Sequence, residues 1–196
     1  MILLNIEDFK KAKFTIGLII LNIICFFMFN STNQDYFLLF VQDNRSVIHN
    51  FEIWRLFTAM FLHADITHLF SNMLALLIFG TTLETNYKFT KSKYLLVYLV
   101  SGLIGNIFSL VFIPLDSYSL GASGAIFGLI GAVIILIIFD DPSILLFALF
   151  YVAYFLFASF SPGVNTWAHI FGFLGGLLLG YLSNFKEIKQ RKLYDY

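Results

Sequence analysis

Charge is scarce in this sequence: Asp, Glu, Lys and Arg make up 12% of its 196 residues, while 59% are hydrophobic. A soluble domain carries about twice that charge. Apolar runs close to the length of a membrane span recur along the chain, which places it among integral membrane proteins. The few charges also cancel, twelve basic against twelve acidic. That leaves no basic patch for nucleic acid and no acidic tail for a scaffold. Cysteine is nearly absent. The single Cys25 has no partner for an internal disulfide, so disulfide-framework and redox readings lack support, and it reads as a small buried hydrophobe. Carboxylates are missing from the interiors of the apolar runs: Asp65 lies near the start of one, Glu84 at the end of the same run, and Asp116 in a loop.

What is present is six apolar segments, at about 14–29, 63–80, 94–113, 123–139, 144–160 and 165–182. They predict an all-α membrane protein of six transmembrane helices forming one domain over 1–196, with short tails at about 1–13 and 183–196. The first run has basic residues before it but no small-x-small cleavage site, so it reads as a retained span rather than a signal peptide. Lys10, Lys11 and Lys13 precede span 1, Lys88, Lys91 and Lys93 lie between spans 2 and 3, and Lys186, Lys189, Arg191 and Lys192 follow span 6. Ten of the twelve basic residues thus fall on one side, which the positive-inside rule makes cytoplasmic. Both termini are expected there, in a multi-pass protein of the cell's inner membrane. Arg45 and Arg55 fall in the external loop between spans 1 and 2.

This topology sends spans 2, 4 and 6 from outside to inside, so their N-terminal ends share one depth. The polar residues sit there: His63, His68 and Asn72 at the start of span 2, Ser123 at the start of span 4, and His169 near the start of span 6. Polar groups at membrane depth are functional candidates by default. Ala168, Gly172, Gly176 and Gly180 recur every fourth residue on span 6, as do Gly124, Gly128 and Ala132 on span 4. Small-xxx-small spacing lets two helices approach closely in lipid. His169 and Gly176 lie about 20° short of two full turns apart, so the imidazole projects on nearly the glycine face.

A serine hydroxyl is a weak nucleophile until a base accepts its proton. His169 is the candidate base for Ser123, and without an intramembrane carboxylate the pair reads as a dyad, with Asp65 left open as a third member. His68 and Asn72, four apart on one helical face, and the Ser123 backbone N–H offer donors for an oxyanion. Other readings weigh less. The nucleophile elbow of soluble hydrolases needs glycine two residues after the serine, and Ala125 stands there. A metal site on His63, His68 and His169 lacks the i,i+4 spacing of helical ligands, so no metal and no cofactor is expected. A transporter would need ionisable residues along a pathway or an inverted repeat. Taken singly, Ser123 also suits a helix cap, the histidines suit packing, and the glycines suit helix contact alone.

Four motifs in order, Trp54-Arg55, His63-x4-His68-x3-Asn72, Gly121-Ala122-Ser123-Gly124 and Ala168-His169-x-x-Gly172-x-x-x-Gly176, resemble the signature set of rhomboid intramembrane serine proteases. The resemblance runs nearly collinearly from Trp54 to Gly180. It implies a six-helix rhomboid-like bundle with a half-inserted loop between helices 1 and 2, to which Trp54 and Arg55 belong. It further implies Ser123 as nucleophile, His169 as base and His68 and Asn72 in the oxyanion hole. His63 then steadies the end of span 2, and Glu84 helps hold the helices together. The implied substrates are single-pass transmembrane proteins cut within or beside their span, at a site near the outer face. Many bacterial members carry tyrosine at the position of Phe127, whose ring keeps the stacking face and lacks the hydroxyl. Span 5, with Phe147, Phe150, Tyr151, Tyr154, Phe155 and Phe157, is a candidate lateral gate, and Ser161-Pro162-Gly163 a candidate cap. The alternative is a catalytically inactive relative that binds membrane clients; it predicts loss of Ser123 or His169, and both are present.

Overall fold

The computed structural model describes residues 4–31, 34–140, 142–158, 160 and 163–194. Its elements run α1 (Ile6–Lys11), α2 (Lys13–Asn30), α3 (Gln34–Leu38), β1 (Gln42–Asp43), α4 (Asn44–His49), α5 (Arg55–Thr58), α6 (Ile66–Thr81), α7 (Lys91–Phe112), β2 (Tyr118–Ser119), α8 (Ser123–Asp140), α9 (Leu145–Ala158) and α10 (Thr166–Tyr194). Among the described residues four helices are long and apolar enough to cross a membrane: Ile66–Asn86, Lys91–Phe112, Ser123–Asp140 and Thr166–Phe185. α2 is apolar and, at 18 residues, as long as α8, while α9 has 14 residues. The chain is thus an all-helical, multi-pass membrane protein.

α8 sits at the centre, with 72% of its apolar window buried against 39–44% for the other three long helices. Its small residues make that position possible. A Cβ added at Gly172 would run into the Gly124 carbonyl, and one at Gly176 into the Gly128 carbonyl. On the other side a Cβ at Gly128 would overlap the Ser101 side chain of α7, and one at Gly105 of α7 the Ala168 carbonyl of α10. α7, α8 and α10 therefore meet backbone to backbone, as small residues allow in lipid. Leu129, Ile130, Val97, Leu76 and Tyr98 fill the space around this contact.

At the opposite end from Ser123, α6 continues past Thr81 through one π-helical turn, Thr82–Asn86, which carries Glu84. The Glu84 carboxylate accepts from the Phe14 amide, the Thr15 amide and the Thr15 hydroxyl, each at 2.9 Å. The Tyr94 hydroxyl meets Thr15 Oγ1 at 3.1 Å. Glu84 thereby caps the start of α2 and joins it to α6, a helix N-terminus being where a carboxylate is favoured, while Tyr94 ties Thr15 to α7.

Between α2 and α6, residues 34–61 fold around a buried Arg55. Its guanidinium bonds to the Glu52 carboxylate and to the Leu38 and Val41 carbonyls. Trp54 Nε1 donates to the Leu39 carbonyl at 3.3 Å and Thr58 Oγ1 to the Phe40 carbonyl at 2.7 Å.

Boundaries differ from the sequence expectation at several helices, and α10 continues to Tyr194, through most of the stretch expected as a tail at about 183–196. α6 starts at Ile66 rather than His63, because Asp65 takes the N-cap and accepts from the His68 amide at 2.9 Å. His63 lies in the turn before it. The run at 144–160 is helical only over Leu145–Ala158, after a 3₁₀ turn at Pro142–Ile144. In the gate and cap expected there, the side chains of Phe147, Tyr151 and Phe155, with Ser161 and Pro162 entirely, lie outside the described residues.

The backbone contact at Gly176 predicts that Gly176→Ala destabilises the protein by about 1–3 kcal/mol, the usual cost of forcing extra volume into a packed interior. The thermal unfolding temperature in detergent measures it, and an unchanged value would contradict the contact.

Candidate active site

Residues 113–122 deliver the chain to α8 and are held from two sides. β2 pairs antiparallel with β1, Gln42 opposite Ser119 and Asp43 opposite Tyr118. β1 is anchored in turn on α7: Gln42 Nε2 donates to Ser109 Oγ at 3.2 Å and to the Asn106 carbonyl at 3.3 Å. Asn44 Nδ2 reaches the Pro114 carbonyl at 3.2 Å, and Arg45 pairs with Asp116 at 2.6 Å on the exposed edge. Gly121 then turns the chain into α8. Its φ of +125° is one that residues with a Cβ rarely adopt, and a Cβ there would lie 2.8 Å from His68 Nε2. The Gly121 amide donates to the Ala59 carbonyl at 2.9 Å.

α10 starts on an N-cap. Asn165 Oδ1 accepts from the Ala168 amide at 3.0 Å, and Asn165 Nδ2 donates to Ser119 Oγ at 2.9 Å. His169 follows in the first turn, buried, with Nε2 2.7 Å from Ser123 Oγ. Phe127 lies one turn below Ser123 on the same face of α8. Its ring stacks on the His169 imidazole at 4.4 Å between centroids and 20° between planes, so the imidazole is gripped between a hydrogen bond and an aromatic face.

The opposite wall comes from α6. His68 and Asn72 project on one side of that helix and both flank Gly121, where a Cβ would stand 3.7 Å from Asn72 Nδ2. Asn72 is buried, and its Nδ2 has no acceptor among the described residues. His63 is fully buried and meets His68 edge-on at 5.0 Å between ring centroids. Together these elements enclose a cavity of about 650 Å³ lined by His68, Asn72, Ser123, Phe127, Asn165 and His169, with Tyr154 of α9 at its side. The cavity joins a hydroxyl bonded to an imidazole and a buried amide whose N–H has no acceptor among the described residues, a set suited to acyl transfer. Among the described residues no three His, Cys, Asp or Glu side chains gather as a metal site.

Of the residues singled out from sequence, Ser123, His169, His68, Asn72, Gly121 and Phe127 come together here, with His63 directly behind. Gly172 and Gly176 lie along the α8–α10 contact below. Trp54 and Arg55 hold the loop at 34–61, and Glu84 stands at the far end of the bundle. Ser119 and Asn165 were not foreseen. Asn165, at the head of an apolar run and three residues before Ala168, carried a readable cap signal; Ser119 carried none.

The rhomboid family's model, described as Rhomboid domain, matches residues 50–184. The chain is 40% identical over 142 residues to YdcA of Bacillus subtilis (strain 168), a relative named for the rhomboid proteases, covering 69% of each chain. It is 42% identical over 144 residues to RHOMBOID-like protein 2 of Arabidopsis thaliana, covering 70% of this chain and 44% of that one. Rhomboid protease GluP of Bacillus subtilis (strain 168) is 42% identical over 128 residues, 63% of this chain and 24% of the relative. The chain therefore spans less than half the length of the last two.

The Phe127–His169 stack is open to test through the rate at which a fluorophosphonate labels Ser123. Phe127→Leu removes the flat face and should slow labelling about two- to tenfold, the worth of an aromatic pair. Phe127→Tyr should label at nearly the original rate, and equal rates in all three would remove the stack from the account of the site.

Proposed function

We propose that this chain, which belongs to the rhomboid family, is an intramembrane serine endopeptidase that cleaves single-pass membrane proteins within or beside their transmembrane segment. The observation that carries the reading is the 2.7 Å contact between Ser123 Oγ and His169 Nε2, inside a cavity walled by three helices. His169 takes the hydroxyl proton as Ser123 Oγ attacks the scissile carbonyl carbon. The carbonyl oxygen becomes an oxyanion, for which Asn72 Nδ2, His68 and the Ser123 backbone N–H are the donors. As the tetrahedral intermediate collapses, His169 passes its proton to the departing amine and the acyl group stays on Ser123. Water, deprotonated by His169, then attacks the ester; the carbonyl reforms and Ser123 regains its proton. No step calls for a metal or cofactor.

The dyad, rather than a triad, is supported by Asp65, whose carboxylate accepts the His68 amide at the N-cap of α6. We further propose a single domain in which α2, α6, α7, α8, α9 and α10 all span the inner membrane. Both termini and their tails, at about 1–13 and 183–196, lie in the cytoplasm, and the site lies near the outer face. The loop at 34–61, stitched internally by Arg55, is half-inserted beside the bundle. α9, whose Tyr154 borders the cavity, is the side on which a substrate enters. Phe127 preserves activity because it supplies the stacking face on its own.

Purified protein in detergent or vesicles, given a fluorogenic transmembrane substrate, should turn over. Ser123→Ala and His169→Ala should each lower kcat by at least about a thousandfold. Equal turnover in all three proteins would sink the dyad, and an inert wild type would favour the client-binding alternative. Activity should also depend on pH, since only the neutral imidazole accepts a proton. Acidification charges the imidazole and should lower kcat/KM. A rate that rises on acidification would contradict a histidine base.

A further inference from the structure

The carboxamide of Asn165 touches both halves of the site. Its Oδ1 accepts from the Ala168 amide at 3.0 Å, just before His169. Its Nδ2 donates to Ser119 Oγ at 2.9 Å, across 46 residues of sequence. Ser119 is buried and fixed, since it pairs with Gln42 in the β1–β2 ribbon and Gln42 is bonded to Asn106 and Ser109 of α7. Ser123 follows Ser119 by four residues, and His169 follows Asn165 by four.

A cap alone does not require asparagine, because serine, threonine or aspartate serves as well. Asparagine adds an N–H that can reach a second acceptor while the oxygen caps. The need for it lies in how α8 and α10 pack. Glycine against carbonyl stops the helices from moving closer, but smooth surfaces of small residues resist sliding and rotation weakly. Ser123 and His169 stand at the end of that contact, where one chain enters from a loop and the other from a turn. A directional bond between loop and turn removes the remaining freedom.

We propose that Asn165, acting through Ser119, is a positioning residue: a tether that fixes the loop delivering Ser123 against the helix delivering His169, and so sets the distance between hydroxyl and imidazole. The inference rests on the dyad reading. Although Asn165 also lines the cavity, this role needs no contact with substrate; its effect is on the fraction of molecules in which Ser123 and His169 are aligned to react. Misplacement of reacting groups by about 1 Å can lower a rate about a hundredfold.

Three variants separate the tether from the cap. Ser119→Ala leaves the α10 cap intact and removes the acceptor. Asn165→Ser keeps a capping oxygen but has no second polar arm. Asn165→Asp keeps the cap and lets the Ser119 hydroxyl donate to the carboxylate, which restores the link with the donor reversed. Ser119→Ala and Asn165→Ser should each lower kcat about ten- to hundredfold, with KM little changed and slower labelling of Ser123 by a fluorophosphonate. The double variant should be no slower than the slower single, since both break one link. Asn165→Asp should recover most of the rate lost in Asn165→Ser, and the unfolding temperature of Ser119→Ala should stay near that of the original protein. Wild-type kcat in Ser119→Ala, or losses that multiply in the double variant, would overturn the tether while leaving the dyad in place, provided Ser123→Ala and His169→Ala are inert in the same assay. Turnover surviving in those two would overturn the dyad and the tether with it.

Discussion

Where α8 and α10 cross, the α-carbons of Gly172 and Gly176 lie against the carbonyls of Gly124 and Gly128, with no room for a single methyl between them. Lipid tails are as apolar as leucine, so helices gain little from hiding apolar surface against one another in a bilayer and associate through close packing instead. In this bundle the closeness also shapes the site. Serine and histidine have short side chains, and a 2.7 Å approach between them requires that their backbones come near. The glycines bring this about from below, and Gly121 brings it about from above by letting the chain turn where His68 and Asn72 already stand.

Polar groups in the bundle gather at two levels and are treated differently at each. At the Glu84 level the carboxylate meets two amides and a hydroxyl, a satisfied network of the kind that stabilises a buried junction. At the Ser123 level Asn72 Nδ2 is buried with no acceptor among the described residues. A buried amide donor without an acceptor is costly for a fold, and such a group is of use where an acceptor arrives from outside.

How much of this was legible in the sequence depends on the range of the interaction concerned. Ser123 and His169 stood out because hydroxyl and imidazole are conspicuous in apolar runs, and the Gly128 and Gly176 stripes because helical periodicity displays them. Glu84 and Arg55 were visible only through the resemblance, which named their neighbourhood without their bonds. The start of α6 was placed at His63 because hydropathy does not register that Asp65 prefers the cap. Ser119 and Gln42 were beyond reach altogether: each works through a bond to a distant segment, and nothing local marks a serine or glutamine as the one that will find such a partner. The six spans rest on hydropathy, and α9, at 14 residues, is the short helix among them.

The Glu84 junction has a consequence for how the molecule is made. Phe14 finds the acceptor for its amide 70 residues further along the chain. During synthesis α2 is therefore exposed to the insertion machinery well before the group that completes its first turn exists. Until then its leading amides depend on water at the membrane surface, and α2 is free to tilt, rotate or drift. The last turn of α6 thus completes the first turn of α2, and α2 is joined to the bundle there only when a segment 70 residues later is in place.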